Sequence, residues 1–299
     1  ELKNPRIAVP VVLFAGIIWS FGPLVVRYMD NPSQVPWQYI FGRGLTIFIL
    51  LNLYLYFEEG TKFWKNYLKI GKSGILGGSS LGIAMISFIF SITNTSAAIT
   101  LLCLAAMPFF TALLAFVFLK EQISINVWIS IIVATIGIII MALGNTEINS
   151  LVGLIFGITS SIGFSIFSVT LRWRKETPKF TTVAFAGFFC FFFSTIIILS
   201  KGLPFFATSY NSSLFSLHGT LVCFGLILYS IGSKAIPAAE LTLLSLTEVI
   251  GGIFWVWLPL FGINEVPDSN TIIGGFFLFI SLFYYSLIMR WNKRYIGLN

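Results

Sequence analysis

Apolar residues in this chain fall in long unbroken runs, and polar residues collect in the short stretches between them. A helix needs about 20 mostly apolar residues to cross the hydrocarbon core of a bilayer. Ten runs meet that length: 8–28, 36–57, 72–92, 96–119, 123–143, 150–171, 180–200, 216–233, 238–261 and 270–290. The longest connection, around Lys201 to Phe215, is only a loop. Backbone groups in lipid must be satisfied within their own segment, so such runs predict helices. The alternating pattern of a membrane barrel is missing. The predicted class is all-α: a polytopic membrane protein of ten transmembrane helices with no room for an extramembrane domain.

Composition agrees. Of 299 residues, 57% are apolar, 17% aromatic and 10% charged, against roughly a quarter charged in an average soluble chain. The sequence starts at Glu1 rather than at a methionine, so trimming of the true N-terminus is expected. The first run lacks an Ala-x-Ala-like cleavage site and is read as a span, not a removable signal peptide. Cys103, Cys190 and Cys223 all lie inside apolar runs, and their spacing fits no metal site.

The formal net charge is +7. Placing the N-terminus in the cytoplasm puts fifteen of the eighteen Lys and Arg residues on inner loops and tails, leaving Arg27 and Lys201 outside and Arg43 within a span. That asymmetry predicts a plasma (inner) membrane protein with both termini cytoplasmic. It also reads the basic residues as topology signals, with no nucleic-acid partner.

The two halves match at one ungapped offset of 141 residues: Gly16, Ile17, Ser20 and Gly22 against Gly157, Ile158, Ser161 and Gly163, and Ala97, Ala98 and Leu102 against Ala238, Ala239 and Leu243. Five spans per half is an odd number, so the halves 1–145 and 146–299 are expected to lie upside down relative to one another. Inverted repeats of this kind characterise transporters, with the substrate site near the midplane. At this point the chain resembles a family. "GIIWSFGP" in the first span, "AAITLLCLAAMPFFTALLAFVFLKEQIS" in the fourth and "AAELTLLSLTEVIGGIFWVW" in the ninth resemble the EamA-like ten-helix members of the drug/metabolite transporter superfamily. Pro108 and Glu121 fit that family's fourth-helix pattern, while Lys120 replaces its usual glycine. Val249 stands where the ninth helix often has proline, and Glu265 comes three residues later than the ungapped alignment places it. The resemblance implies a cavity lined by helices one to four and six to nine, with five and ten peripheral. It most often suggests efflux of amino acids or other metabolites.

Small residues recur every fourth position in the sixth span (Gly153, Gly157, Ser161, Ser165) and the third (Gly74, Gly78, Gly82), which lets helices approach closely in lipid. Gly22-Pro23 and Pro108 interrupt the first and fourth spans, because proline removes a backbone donor and kinks a helix.

Ionisable groups within spans are costly and usually face a cavity or one another. Two stand out, Glu248 near the middle of the ninth span and Arg43 in the second. Three- and four-residue steps place Leu241, Ser245, Glu248, Gly252 and Trp255 on one face; Tyr39, Arg43, Thr46 and Leu50 share another. Glu248 aligns with Met107 in the first half, so the repeats differ chemically there. The expected binding site comprises Glu248, Trp19, Tyr39, Arg43, Met107, Ser245, Gly252 and Trp255. Glu248 would hold a cationic nitrogen or a coupling proton, with aromatic faces beside it; a structural carboxyl paired with Arg43 is the alternative. Glu240 opens the ninth span near Lys234, where it caps the helix or balances charge. His218, near the outer end of its span, has no partner ligand nearby in sequence.

The expected function is secondary transport of a small nitrogen-containing metabolite by alternating access, proton-coupled or by exchange. An amine or quaternary ammonium needs Glu248; an amino-acid or betaine-like zwitterion adds Arg43. No catalytic residues, metal ligands or cofactor are expected, and no phosphate loop points to ATP-driven transport. An intramembrane enzyme and a non-transporting membrane scaffold are the competing classes. Membrane lipid and the solute are the expected partners, and peripheral fifth and tenth spans leave room for a homodimer.

Overall fold

A computed structural model describes residues 5–120, 125–144, 148–174 and 176–295. Glu121, the acid of the fourth-helix pattern, lies outside the described residues. The chain is all-α. Helices α1 (Pro5–Ser20) and α2 (Gly22–Arg27) form the first span; α3 (Pro36–Glu59) is followed by the short α4 (Trp64–Leu68) and by α5 (Gly71–Asn94). Next come α6 (Ala97–Leu104), α7 (Met107–Leu119), α8 (Ile125–Gly144), α9 (Ile148–Trp173) and α10 (Lys179–Ser200). The chain ends with α11 (Ser209–Gly232), α12 (Ala238–Leu244), α13 (Thr247–Trp257) and α14 (Ser269–Tyr295). Among the described residues, eight helical spans are long and apolar enough to cross a membrane, and two shorter apolar stretches, Trp128–Leu143 and Ser269–Tyr285, accompany them. The protein is a multi-pass membrane protein. Its outward surface is correspondingly greasy: Phe14, Phe116, Phe192, Phe224, Phe276 and Ile280 are all exposed, whereas a soluble monomer rarely exposes extended apolar patches.

Three spans are interrupted. Proline occupies the first turn of α2 and of α7, where a missing N–H costs nothing, and its ring bars the helix from running straight through from the N-terminal side. The third interruption, between α12 and α13, has no proline. There Thr242 Oγ1 donates to Ala238 O and Ala239 O, Ser245 Oγ to Thr242 O, and Thr247 Oγ1 to Leu244 O and to Leu13 O on α1. Hydroxyls bonding back to carbonyls three or four residues earlier bend helices. The two similar breaks, opening at Met107 and Thr247, lie 140 residues apart.

The small-residue rows form helix contacts. On α9, Ser161 Oγ donates to Cys103 O and Ser165 Oγ to Met107 O, while Gly153 lies against Thr95 and Gly157 against Cys103. The glycines of α5 face α10, with Gly78 against Thr182 and Phe185 and Gly82 against Phe189. Helices α8 and α14 pack along each other at the periphery, backbone to backbone where Gly137 meets Gly274. Helix α11 begins at Ser209, capped by Thr208 Oγ1 accepting from Asn211 N. It therefore starts well before the apolar run at 216, and the connection before it is shorter than the composition suggested.

Candidate functional site

A cavity of about 50 Å³ lies inside the bundle. Trp19 of α1, Arg43 of α3, Met85 and Phe88 of α5, Leu104 and Met107 around the α6–α7 break, Phe164 of α9, His218 of α11 and Glu248 of α13 all line it. Seven of the spans thus contribute. The seventh span, α10, lines nothing here; it packs outside α3 and α5, and α8 and α14 stay peripheral.

Four of the expected residues, Trp19, Arg43, Met107 and Glu248, meet at this cavity. Glu248 sits in the first turn of α13, immediately after the break. This places it at the positive end of a helix. Among the described residues it makes no side-chain hydrogen bond and no ion pair. Arg43 is buried: Nη1 reaches Met85 O at 3.5 Å, the guanidinium carbon lies 5.4 Å from the Phe88 ring centroid, and Nε has no hydrogen-bond partner. Arg43 and Glu248 line the same cavity, and among the described residues they form no ion pair with each other.

Trp19 is held edge-on. Its Nε1 donates to Val222 O at 3.2 Å, and the indole fills a slot left by Gly225, where a Cβ would lie 2.0 Å from Nε1. It packs against Phe164 and Tyr229 at centroid distances of 5.8 and 5.6 Å.

Tyr39 stands one layer behind the cavity. Its hydroxyl hydrogen-bonds His218 Nδ1, and its ring stacks on Phe215 at 4.8 Å. Ser245, Gly252 and Trp255 do not reach the cavity. The α12–α13 break divides the face a straight helix would have made. Ser245 bonds its own backbone, Gly252 lies against Leu101 and Pro23, and Trp255 donates to Ser20 Oγ at 3.0 Å while stacking on Phe21 at 5.0 Å.

His218, Phe88 and Phe164 line the cavity and are not among the residues expected there from sequence. The apolar run that holds His218 starts at 216, which places the residue at a span end by sequence. With α11 starting at Ser209, its ring is buried beside Gly22, where a Cβ would lie 2.7 Å from Nε2. Phenylalanines are too numerous here, at 32, for two to stand out. Among the described residues no cluster of three His, Cys, Asp or Glu side chains could hold a metal ion.

A second, wider cavity of about 910 Å³ opens at the end of the bundle where α1 begins, between the ends of α3, α9 and α11 and the starts of α10 and α12; its walls include Leu55, Glu58, Leu171, Lys179, Ser233 and Pro237. The opposite end is tied shut. Arg27 pairs with Glu265 through Nε at 2.5 Å and Nη2 at 3.3 Å, and donates to Ile92 O at 2.8 Å and Thr95 O at 3.1 Å; Glu265 also accepts from Ala97 N at 2.6 Å.

Residues 6–143 match the EamA-like transporter family. Two Helicobacter pylori proteins, each described as an uncharacterized transporter, are similar. The one from strain J99 is 28% identical over 54% of this chain and 52% of its own length, so the match spans about half of that relative. The one from strain 26695 is 24% identical over 80% of both chains. A crystal structure superposes with a TM-score of 0.65 over 95% of this chain and 99% of the other at 13% identity, which establishes the shared fold.

Proposed function

We propose that this chain, whose residues 6–143 match the EamA-like transporter family, is a carrier of the drug/metabolite transporter superfamily, and specifically a secondary carrier for a small nitrogen-containing zwitterion of the amino-acid or betaine type. One observation carries this reading: Glu248 and Arg43 line the same cavity and neither is neutralised by the other. A zwitterion answers both, its ammonium toward Glu248 and Trp19, its carboxylate toward the unpartnered Arg43 Nε. Burying a charge without a partner is costly, so a solute that completes both ion pairs binds the closed site better than a plain amine. A space of about 50 Å³ favours a compact solute over a nucleotide or sugar phosphate. A coupling proton would compete with the solute at Glu248. The reading includes no enzymatic step.

The same proposal takes 1–145 and 146–299 as inverted repeats, an arrangement supported by the matched breaks at Met107 and Thr247. It also takes the end where α1 begins as the cytoplasmic face, supported by the distribution of Lys and Arg. A homodimer through the peripheral α8–α14 pair belongs to this reading too.

The test is ligand-induced thermal stabilisation of the purified protein by amines, betaines, amino acids and phosphate esters, since a ligand that binds only the folded state raises its apparent stability. Zwitterions are expected to stabilise the wild type most. Glu248→Gln should lose the response to zwitterions and amines; Arg43→Gln should lose the zwitterion response and retain that to amines. Stabilisation by phosphate esters or neutral solutes, unchanged in both variants, would overturn the assignment.

A further inference from the structure

The central cavity and the wide vestibule are lined by the same helices, α3, α9 and α11, at different heights, and what separates them is thin. On α9, Phe164 lines the cavity and Leu171 the vestibule; on α11, Leu226 lines the cavity and Ser233 the vestibule. Seven residues of helix on each side amount to about 10 Å. Within that interval Phe167 and Tyr229 are sealed from solvent, as are Ile47 and Leu51 of α3 and Leu241 of α12. Phe167 and Tyr229 stack at 6.3 Å, Phe164 stands edge-on to both, and the Tyr229 hydroxyl hydrogen-bonds Ser168 Oγ at 2.7 Å. Trp19 packs against Tyr229 of this layer and also lines the cavity.

The two closures differ in kind. At the far end, Arg27 and Glu265 join α2, the end of α5, the start of α6 and the segment after α13 by five hydrogen bonds, all but one at or below 3.1 Å. At the vestibule end, among the described residues, the side chains of the layer make one hydrogen bond between helices, Ser168–Tyr229, with Lys179 Nζ donating to Ser233 Oγ on the vestibule wall beyond it; the layer itself is otherwise aromatic and aliphatic packing. Apolar side chains slide or rotate past one another without leaving a charge or donor unpaired, whereas opening the far end strands a carboxylate, a guanidinium and a helix N-terminal N–H.

We propose that Tyr229, packed on Phe167 and latched to Ser168, is the access-determining residue between the cavity and the vestibule, and that this layer opens while the Arg27–Glu265 tie holds the opposite end closed. Trp19 links the two: a solute against its face pushes on the ring that Tyr229 packs against. The inference rests on the carrier reading for its purpose, but access to the cavity is measurable without any transported solute.

The experiment places a single reporter thiol in the cavity, Ala84→Cys, in the full chain with Cys103, Cys190 and Cys223 replaced by alanine. It follows labelling by a charged, membrane-impermeant methanethiosulfonate from each face, using inverted and right-side-out membrane vesicles. Tyr229→Ala is expected to speed labelling about tenfold or more from one face only, as a shift toward a minor open state would. Tyr229→Phe, which removes only the latch, and Ser168→Ala, which removes it together with the Ser168 bond to Phe164 O, should each give a smaller acceleration from that face. Arg27→Ala should speed labelling from the other face. Thermal unfolding of each variant shows whether it is folded, and Tyr229→Phe retains the ring should Tyr229→Ala fail to fold. The proposal is overturned if the Tyr229 and Ser168 variants leave labelling unchanged, or raise it equally from both faces, which is general loosening. Absence of any zwitterion response with the labelling pattern intact would instead count against the substrate assignment alone.

Discussion

At the scale of single residues, rarity made chemistry visible. Glu248 and Arg43 stand out because a charge inside an apolar run must be accounted for, and both reach the cavity. Trp19 and Met107 join them. What could not be read was which neighbours complete the wall: His218 was masked by an apolar run that begins later than its helix, and Phe88 and Phe164 by the abundance of their kind. Nor does sequence show how a side chain is held. Trp19 faces the cavity because Gly225 leaves room for it, and this makes Gly225 a sharp test. A methyl group there would sit 2.0 Å from Nε1, so Gly225→Ala must expel the indole and break its bond to Val222 O. Overpacking of this kind costs about 1–3 kcal/mol. The expected result is a lower thermal midpoint together with loss of the zwitterion response. Adding Trp19→Phe should recover much of the midpoint. A Gly225→Ala protein with unchanged midpoint and response would show that the slot does not hold the ring.

At the scale of helices, the ten apolar runs located the eight described spans and the two shorter apolar stretches, because length and hydropathy are all that a bilayer demands of a helix. Two of the three interruptions were legible as well, since Pro23 and Pro108 announce them. The α12–α13 break was not. It is made by three hydroxyls that compete for backbone carbonyls, and Ser and Thr are common in spans that run straight; Ser79 and Thr220 bond their own helices without breaking them. Its consequence reaches the site. A continuous helix would have set Ser245, Glu248, Gly252 and Trp255 on one face; the break leaves only Glu248 on the cavity, at a helix N-terminus. Replacing Thr242, Ser245 and Thr247 with Val, Ala and Val removes the competing bonds without changing the charge. Helix content by circular dichroism should be unchanged, while zwitterion affinity by titration should fall about tenfold or more, the factor that corresponds to about 1.4 kcal/mol. Unchanged affinity would mean that packing alone sets the bend.

At the scale of the whole molecule, the bundle has one end closed by polar bonds and the other by a thin apolar layer beneath a vestibule, an asymmetry that no single stretch of the sequence shows. Glu265 illustrates why. In sequence it is an acid near the end of the ninth span, offset from its expected place; in the fold it meets Arg27 across 238 positions. The pair is partly exposed, at 20% and 23% for its side chains, and an isolated surface pair contributes little. Its weight comes from the carbonyls of Ile92 and Thr95 and the N–H of Ala97, which need these two groups in these two places. Arg27→Ala and Glu265→Ala should therefore be strongly non-additive in thermal stability, with a coupling of about 0.5–3 kcal/mol. Exchanging the charges, Arg27→Glu with Glu265→Arg, keeps opposite charges side by side but turns a carboxylate toward two carbonyls and a guanidinium toward an N–H. The exchanged protein should thus be no more stable than the double alanine variant. Recovery of the wild-type midpoint by the exchange would mean that simple attraction holds this end of the bundle, and that the hydrogen bonds to α5 and α6 are incidental to its closure.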